Sequence, residues 1–260
     1  MIDLFLRITG VYKLYEKYLN SQINKSSLPN HIGLILDGNR RWANQKAAPY
    51  WLGHIMGAEI VEKLLEWVYG LGIKTITLYV LSIENLQRNP NEVQEIMELI
   101  EQRLQNLLND KKIHREQIKI KSLGRTQLLN DRVKKILFNL ENVTENYDKH
   151  YLNIAIAYGG RVEIVDAIFK IVEKVQKGKI DPKSINQKTV EEHLYTSHLE
   201  NPDPDLIIRT SGEERLSGFL LWQSAYSELI FLDVYWPDFR KIDLMRSIRT
   251  YQKRYRRFGK

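Results

Sequence analysis

Short apolar runs alternate along the chain with stretches of helical periodicity, which is the pattern of an α/β protein. The runs predict six strands, at residues 32–36, 74–80, 118–123, 152–157, 205–208 and 229–232. They are apolar on both faces, as expected for a parallel sheet with helices on either side. The pattern therefore predicts a single domain with a mostly parallel central β-sheet covered by helices.

Four apolar stripes with helical spacing lie between the predicted strands. They predict amphipathic helices whose apolar faces belong to the core. The stripes comprise Val61, Leu64, Leu65 and Val68; Val93, Ile96, Met97, Ile100, Leu104 and Leu107; Leu129, Val133, Ile136, Leu137 and Leu140; and Val165, Ile168, Phe169 and Val172.

The first 28 residues form a predicted helical arm, and residues 29–260 form the domain, with a basic tail at 240–260. No stretch approaches the ~20 apolar residues that a membrane-spanning helix needs. The N-terminus also lacks the continuous apolar core and the cleavage site of a signal peptide. We therefore expect neither a spanning helix nor an export signal.

The composition narrows the class of protein. Hydrophobic residues make up 43% and charged residues 27% of the chain, which excludes a disordered protein. The chain has no cysteine, so disulfides, thiolate nucleophiles and cysteine-based metal centres are excluded. An intracellular location agrees with that absence.

The net charge of +7 is concentrated at the C-terminus. Residues 240–260 contain nine Lys or Arg and one acidic residue, so this tail carries +8 and the rest of the chain −1. A nucleic-acid-binding protein usually shows a broader basic surface. The distribution indicates a local anionic partner for the tail.

Polar residues follow the first predicted strand directly. Asp37, Gly38 and Asn39 come first, and Arg40 and Arg41 follow. Ligands of open α/β sheets bind at the carboxyl ends of the strands, and a helix that begins there offers free N–H groups to phosphate. Asp37 is a hard oxygen ligand suited to Mg²⁺. On composition alone, a plain Asp-Gly-Asn turn explains the segment equally well.

A histidine between two glycines forms a second cluster. Gly53 and Gly57 flank His54 at the start of the first helical stripe. Such a loop suits phosphate binding, but the spacing is a weak signal and a single histidine is more often structural. Neither the Walker pattern nor Gly-x-Gly-x-x-Gly occurs, which argues against the common nucleotide-binding loops.

A third polar cluster follows the second predicted strand. Asn89 before Pro90 predicts the start of the next helix, but capping leaves the Ser-x-Glu-Asn sequence unexplained. The cluster comprises Ser82, Glu84, Asn85 and Arg88.

The segment 207–229 is the richest in candidate ligands. Arg209 follows a predicted strand, and Arg215 and Ser217 come after a turn that contains glycine. Two guanidinium groups and a hydroxyl can surround an anion, and Glu228 is a second possible Mg²⁺ ligand. The alternative is a surface ion-pair cluster with the two neighbouring glutamates.

Taken together, the four clusters indicate a phosphate or diphosphate site with a divalent metal. Neither the Gly-x-Ser-x-Gly sequence of Ser-His-Asp hydrolases nor a histidine-rich zinc pattern occurs.

Five ordered motifs, which cover roughly residues 30–260, resemble those of the cis-prenyltransferases, the undecaprenyl and dehydrodolichyl diphosphate synthases. The Arg-Arg form of the first motif and the Ser-Ile-Glu-Asn sequence resemble archaeal or eukaryotic members more than bacterial ones. The motifs are Asp37-Gly38-Asn39-Arg40-Arg41-Trp42, Gly53-His54, Ser82-x-Glu84-Asn85, Tyr158-Gly159-Gly160-Arg161, and Arg209-Thr210-x-Gly212-Glu213-x-Arg215-x-Ser217 with Glu228.

The resemblance implies an enzyme that uses Mg²⁺ to condense isopentenyl diphosphate onto an allylic prenyl diphosphate. The product would be a long-chain polyprenyl diphosphate, the precursor of a lipid carrier for glycan assembly. A homodimer with an apolar product tunnel is also implied, without a nucleic-acid partner. The implied location is the cytoplasm, with peripheral contact at the inner face of the membrane.

The resemblance also implies roles for single residues. Asp37 would hold Mg²⁺ with Glu228 and assist the departure of diphosphate, while Asn85 and Ser82 would lie near the proton that is lost. The allylic diphosphate would be bound by Gly38, Asn39 and Arg41 with His54 nearby, and Arg40, Trp42 and Arg88 are further substrate-binding candidates. Isopentenyl diphosphate would be held by Arg209, Arg215 and Ser217. Arg257 and Gly259 of the tail would reach a diphosphate across the dimer interface.

Four positions bear on substrate choice or on product length. Tyr50 stands where bacterial relatives usually carry an arginine, which bears on binding of the allylic diphosphate. Leu81 and Leu86 replace a common aromatic pair, which bears on the choice of primer. His150 stands where the tunnel floor is expected, which bears on product length.

Three alternatives remain. The acceptor could be a polyol or lipid alcohol in place of isopentenyl diphosphate. The chain could be a non-catalytic scaffold subunit of the same fold, although such subunits typically lose the aspartate of the first motif and the arginine pair, which are all present here. A basic RNA- or membrane-binding protein would rest on the tail alone.

Overall fold

The computed structural model describes residues 11–254 and contains a six-stranded sheet in which all neighbouring strands are parallel. The order across the sheet is β3-β4-β2-β1-β5-β6. All six predicted strands are confirmed, with ends that differ by at most two residues. The strands are β1 (His31–Ile35), β2 (Thr75–Ser82), β3 (Ile118–Leu123), β4 (His150–Tyr158), β5 (Leu206–Arg209) and β6 (Glu228–Phe231).

Helices connect the strands and confirm the α/β class. The described residues form α1 (Val11–Gln22), α2 (Asn39–Gln45), α3 (Tyr50–Leu71), α4 (Pro90–Asn109), α5 (Lys111–Arg115), α6 (Asp131–Val143), α7 (Gly160–Gln176), α8 (Gln187–Glu191) and α9 (Lys241–Lys253).

The sheet is buried because its central strands are apolar on both faces. Every residue of β1 is buried, and so is every residue of β4 except Tyr151. Parallel strands with helices on both sides have no face left for solvent. The carboxyl ends of β1, β2 and β5 therefore form one shared edge above a rigid core.

Three of the four predicted helical stripes pack in the core. Leu64 and Val68 of α3, Ile100 of α4 and Leu140 of α6 are examples of side chains that are fully or almost fully buried. The prediction for the fourth stripe is wrong within a single chain. The periodicity shows that a helix has an apolar face, but it does not show what covers that face. The exposed side chains on α7 are Val165, Ile168, Phe169 and Val172, with between 44% and 68% of their surface accessible.

The helix α1 packs against α9, so the two ends of the described chain meet. The guanidinium groups of Arg240 and Arg246 lie over the rings of Tyr12 and Tyr15, at 5.3 and 4.9 Å from the ring centroids. The opposite side of α9 is buried in the core through apolar residues such as Met245. The predicted docked helix is thus confirmed as far as Lys253, and the last six residues lie outside the described part.

Between residues 11 and 254, the chain has no helix with the length and apolar character required to span a bilayer.

Candidate active site

Asp37 lies at the carboxyl edge of the sheet, just after β1. Its N–H donates to the Thr210 hydroxyl at 3.0 Å, and that hydroxyl lies 2.7 Å from the carbonyl oxygen of Asp37. The Trp236 N–H donates to the same carbonyl. Because β1 and β5 are adjacent and parallel, the residues that follow them meet at this edge, as the sequence predicted.

Two arginines hold the two oxygens of the Asp37 carboxylate. Arg209 Nη2 donates to Asp37 Oδ2 at 2.7 Å, and Arg41 Nη2 donates to Oδ1 at 3.2 Å. Arg209 is buried at the end of β5, with 4% of its surface exposed. The structure therefore brings together three of the predicted site residues, and it joins two that the sequence assigned to different substrates.

The two arginines keep Asp37 ionised. Burial by itself would raise the pKa of Asp37, but hydrogen bonds and charges from Arg209, Ser211 and Arg41 outweigh burial and hold the pKa below its usual value. The carboxylate is thus a strong anionic ligand at neutral pH, next to two fixed cations.

Gly38 allows the chain to turn sharply between β1 and α2. It has φ of 107°, and a Cβ atom at this position would lie 2.7 Å from the ring of Tyr235 and 3.1 Å from Ser211 Cβ. Only glycine fits both the backbone conformation and the space. This turn places the first N–H groups of α2 beside Asp37, as the Asp-Gly-Asn sequence indicated.

Arg41 also makes contacts with Glu213 and Tyr235 that the sequence did not predict. Its Nη1 donates to Glu213 Oε1 at 2.9 Å, and Glu213 also accepts a hydrogen bond from Arg215. The Tyr235 ring lies 5.8 Å from the Arg41 guanidinium. Glu213 therefore bridges the two motifs. The only signal for it in the sequence was its position beside Arg215, which fits a surface ion pair equally well.

Ser217 lies in a strained loop that is tied to Arg209. Arg209 Nη1 donates to Ser217 Oγ at 2.8 Å and to the carbonyl oxygen of Arg215. Ser217, Gly218 and Leu220 all have positive φ, a conformation that is costly for the two residues with side chains. The loop thus surrounds the buried guanidinium with oxygen atoms and stores backbone strain beside it.

The Tyr-Gly-Gly-Arg motif supports this loop from behind. The Gly160 N–H donates to the Gly218 carbonyl at 2.7 Å, and a Cβ atom at Gly160 would lie 2.5 Å from that oxygen. The hydroxyl of Tyr79 donates to the Ser217 carbonyl at 3.3 Å, and the hydroxyl of Tyr158 accepts from the Leu220 N–H at 3.2 Å. The motif contributes close packing at the site, a role that its sequence alone did not reveal.

A cavity of about 690 Å³ lies between α3 and α4, and Leu36 and Asn39, which flank Asp37 and Gly38 in the sequence, line it. Asn39, His54 and Trp236 line it at the site end. His54 Nε2, Asn39 Oδ1 and Trp42 Nε1 are buried without a hydrogen-bond partner within residues 11–254, and burial lowers the pKa of His54, with the Arg88 charge adding to the effect. Buried polar atoms without partners are unfavourable, so these atoms are suited to a polar ligand.

Arg40 and Arg88 lie on the His54 side and share one carboxylate. Arg88 Nη1 donates to Glu92 Oε1 at 3.0 Å, and Arg40 Nη1 lies 3.7 Å from the same oxygen. Glu92 is buried in the first turn of α4. The Glu92 carboxylate therefore holds both arginines on this side of the site.

Ser82 and Asn85 stabilise the turn after β2. The Asn85 N–H donates to Ser82 Oγ at 3.2 Å, and the Ser82 N–H donates to Asn85 Oδ1 at 3.4 Å. This reciprocal exchange gives the Ser-x-Glu-Asn sequence a structural role. It also places both polar side chains at the carboxyl end of β2, the neighbour of β1.

Glu228 does not join Asp37 within one chain. It is the first residue of β6, in register with Leu206, so it lies at the amino edge of the sheet, whereas Asp37 lies at the carboxyl edge. Its carboxylate accepts from Arg254 Nη1 at 2.9 Å. The expectation of one metal shared by both residues of the same chain is therefore corrected, because a polar residue before an apolar strand lies at the opposite edge from one that follows a strand. Arg257 and Gly259 lie outside the described residues.

The residues around Asp37 fit a magnesium ion that is held mainly by substrate. Residues 11–254 contain no group of three or more His, Asp or Glu side chains placed to hold a metal. Mg²⁺ commonly binds one or two carboxylates together with substrate phosphates and water. One ionised carboxylate between two arginines matches that arrangement better than a closed protein cage.

Comparison with known proteins gives a consistent assignment. Residues 35–259 match the family model described as putative undecaprenyl diphosphate synthase. The chain is 50% identical over 256 residues to the tritrans,polycis-undecaprenyl-diphosphate synthase (geranylgeranyl-diphosphate specific) of Methanocaldococcus jannaschii, covering 98% of this chain and 91% of the relative. The enzyme of the same name from Methanopyrus kandleri is 48% identical over 250 residues, covering 96% and 92%.

Solved structures agree with the sequence comparison. The lavandulyl diphosphate synthase of Lavandula x intermedia, in complex with dimethylallyl diphosphate, has a TM-score of 0.87 and 34% identity and covers 90% of this chain and 99% of its own. A probable undecaprenyl diphosphate synthase from Campylobacter jejuni has a TM-score of 0.72 and 29% identity, with 89% and 99% covered.

These matches show that the chain is a prenyltransferase, and its parallel sheet carries an aspartate held by two arginines at the carboxyl edge. This chain belongs to the undecaprenyl diphosphate synthase family, and it is similar to archaeal members.

Proposed function

We propose that the chain condenses isopentenyl diphosphate onto an allylic prenyl diphosphate in a Mg²⁺-dependent reaction and repeats this step to make a long-chain polyprenyl diphosphate. The position of Asp37 carries the proposal. The aspartate is held by two arginines, and Leu36 and Asn39, which flank Asp37 and Gly38 in the sequence, line a cavity of about 690 Å³. A diphosphate at the arginines would leave its isoprenoid chain in that cavity, which would serve as the product tunnel.

The polar residues would stabilise the departing diphosphate. Ionisation of the allylic substrate separates a dispersed cation from a diphosphate anion, so fixed cations at the anion lower the barrier. Arg41 and Arg209 are already oriented by Asp37, and their alignment costs little when substrate binds. When bound by Asp37, Mg²⁺ would supply further neutralisation of the anion. The apolar cavity wall would keep water away from the cation.

The second substrate would bind around Arg209. Arg209, Arg215 and Ser217 offer charged and hydroxyl donors to the diphosphate of isopentenyl diphosphate. Asn85 and Ser82, at the end of the neighbouring strand, would lie near the carbon that loses its proton. Trp42 Nε1, and His54 Nε2 in the tautomer that carries the proton there, lack partners and would donate to the allylic diphosphate, and Asn39 would donate to it from its amide nitrogen.

We expect geranylgeranyl diphosphate to be the preferred primer, since the relatives named above carry that specificity in their names. The test is incubation of the purified protein with labelled isopentenyl diphosphate and C10, C15 or C20 allylic diphosphates, with Mg²⁺ or with EDTA. We expect incorporation only with Mg²⁺, most with the C20 primer, and products that grow by whole isoprene units.

Two results of this assay would contradict the proposal. With labelled primer and an added polyol or lipid alcohol, transfer of the prenyl group to that alcohol without incorporation of isopentenyl diphosphate would show a different acceptor. The absence of any product with all three primers would show a non-catalytic protein of this fold.

We propose that the chain works as a homodimer. The exposed stripe on α7 is apolar and continuous over two turns, and a second copy would bury it. Arg254 donates to Glu228 and to the Leu229 carbonyl, so the chain leaves α9 at the amino edge of the sheet. That edge lies away from Asp37 of the same chain. This position favours a tail that reaches the site of the other protomer.

Deleting residues 256–260 should lower turnover by tenfold or more, because each lost charge-assisted bond to a diphosphate contributes about 1.5–3 kcal/mol. The melting temperature and the dimer should be nearly unchanged. Turnover and size-exclusion chromatography with light scattering provide the measurements.

Mixing two inactive variants tests whether the tail serves the neighbouring site. The deleted chain keeps Asp37, and an Asp37→Asn chain keeps its tail, so a mixed dimer has one complete site. Random exchange should restore roughly a quarter of the sites. A tail that serves its own chain would restore none, and a truncated enzyme with full turnover would remove the tail from the mechanism.

A further inference from the structure

The cavity changes character along its length. Its site end is lined by groups such as Asn39 and His54, and its middle by apolar side chains that include Leu65 and Ile100. Further along α3 and α4 the lining becomes charged. Glu66 lies twelve residues beyond His54, which corresponds to about 18 Å along the axis of α3.

Two ion pairs cross this charged part of the cavity from helix to helix. Arg103 Nη1 of α4 donates to Glu62 Oε1 of α3 at 2.8 Å, and Lys112 of α5 pairs with Glu66 of α3. All four residues line the cavity. Glu62 and Glu66 are one turn apart, so the pairs form two successive bridges between α3 and the segment α4–α5.

The position of Arg103 indicates that the ion pairs close the cavity between α3 and α4. Its side chain is only 26% exposed, and its Nε is buried without a hydrogen-bond partner within residues 11–254. The stem of the side chain lies over the cavity while its end reaches Glu62. An arginine with a buried unpaired N–H is costly to keep in place, which is unexpected for a side chain with only a surface role.

We propose that Glu62, Glu66, Arg103 and Lys112 form a latch that determines the length of the product. The inference rests on the proposed chain elongation. As the prenyl chain grows from the Asp37 end, its first-formed end moves towards the latch. While the latch is closed, the apolar end meets charged groups that it cannot desolvate, and elongation stops. When the latch opens, the end passes between α3 and α4 and elongation continues.

The two ion pairs of the latch are weak enough to open and close. The side chains of Glu62, Glu66 and Lys112 are each more than half exposed, and ion pairs of this kind contribute little to stability. They also weaken as salt is added, because exposed charges are screened. A latch of two such pairs can open without unfolding either helix.

The test compares product lengths of the wild type with those of Glu62→Gln, Lys112→Met and the double variant, with labelled isopentenyl diphosphate and one primer. The main product should become longer by at least one isoprene unit, most in the double variant. The exchange Glu62→Arg with Arg103→Glu restores a pair and should return the product to its original length. Glu173→Gln, which removes a similarly exposed pair on α7, should leave product length unchanged.

The outcomes separate the latch from the proposed function. If the wild type elongates but the variants give the same lengths or shorter ones, the latch is refuted and the function stands. If the wild type does not elongate, the proposed function fails. Added salt should lengthen the products of the wild type and have no effect on length in the double variant, and an equal salt effect in both would also refute the latch. Melting temperatures check that each variant is folded.

Discussion

Replacement of Asp37 by asparagine is expected to lower kcat by about 10²-fold or more. The variant keeps one of the two oxygens that accept from Arg209 and Arg41, and it loses the negative charge that orients both guanidinium groups and that we propose as a Mg²⁺ ligand. Steady-state kinetics with both substrates at saturation measures the effect. A folded variant with wild-type kcat would contradict the assignment of Asp37.

The pH dependence gives an independent measurement of the same residue. The pKa of Asp37 is held below its usual value, so its contribution to stability is present above the usual aspartate pKa and is lost as pH falls through the lower value in the folded protein. The free energy of unfolding of the wild type should therefore decline at that acidic end more than that of the Asn variant.

Asp131→Asn, which removes a fully exposed carboxylate on α6, provides the matched control for kcat.

The second large effect is expected from Arg209→Lys. One guanidinium group contacts Asp37, Ser217 and the carbonyl of Arg215 at once, and an ammonium group cannot reproduce this planar fork. The loss of one or two charge-assisted bonds corresponds to about 10- to 100-fold in kcat/KM for isopentenyl diphosphate.

A comparison with Arg215→Lys tests why Arg209 matters. Arg215 is largely exposed and pairs with Glu213 among residues 11–254, so its replacement should raise KM for isopentenyl diphosphate and leave kcat nearly unchanged. Because Arg209 also holds Asp37, its replacement should lower kcat as well. Equal effects of the two substitutions on both parameters would show that the contacts of Arg209 inside the protein do not contribute to catalysis.

The fold could be predicted because the sequence of each strand shows that the strand is buried. A run of apolar residues on both faces fits only the interior of a covered sheet, and all six runs are strands. The fourth helical stripe could not be assigned in the same way, since its periodicity is the same whether protein or solvent faces it. The stripe on α7 is exposed in one chain although its pattern equals that of a core helix.

The location of a site residue could be predicted where it depends only on whether the residue precedes or follows a strand. Asp37 and Arg209 each follow a strand, and adjacent parallel strands bring such residues together. Glu228 precedes its strand and therefore lies at the other edge. The bridging role of Glu213 depends on the path of a loop with several positive φ angles, which local sequence does not specify.

The order of strands in the sheet has a consequence for the synthesis of the enzyme. β1 to β4 come from the first 158 residues and can pair with one another as soon as they have left the ribosome. β5 pairs with β1 across about 170 residues of intervening chain, and such distant contacts form late. A growing polypeptide that has completed four strands already carries Asp37 and Arg41, but not Arg209. The site that we propose as the catalytic centre is therefore complete only after β5 has joined β1, and we expect a partly made chain that ends before β5 to have no activity.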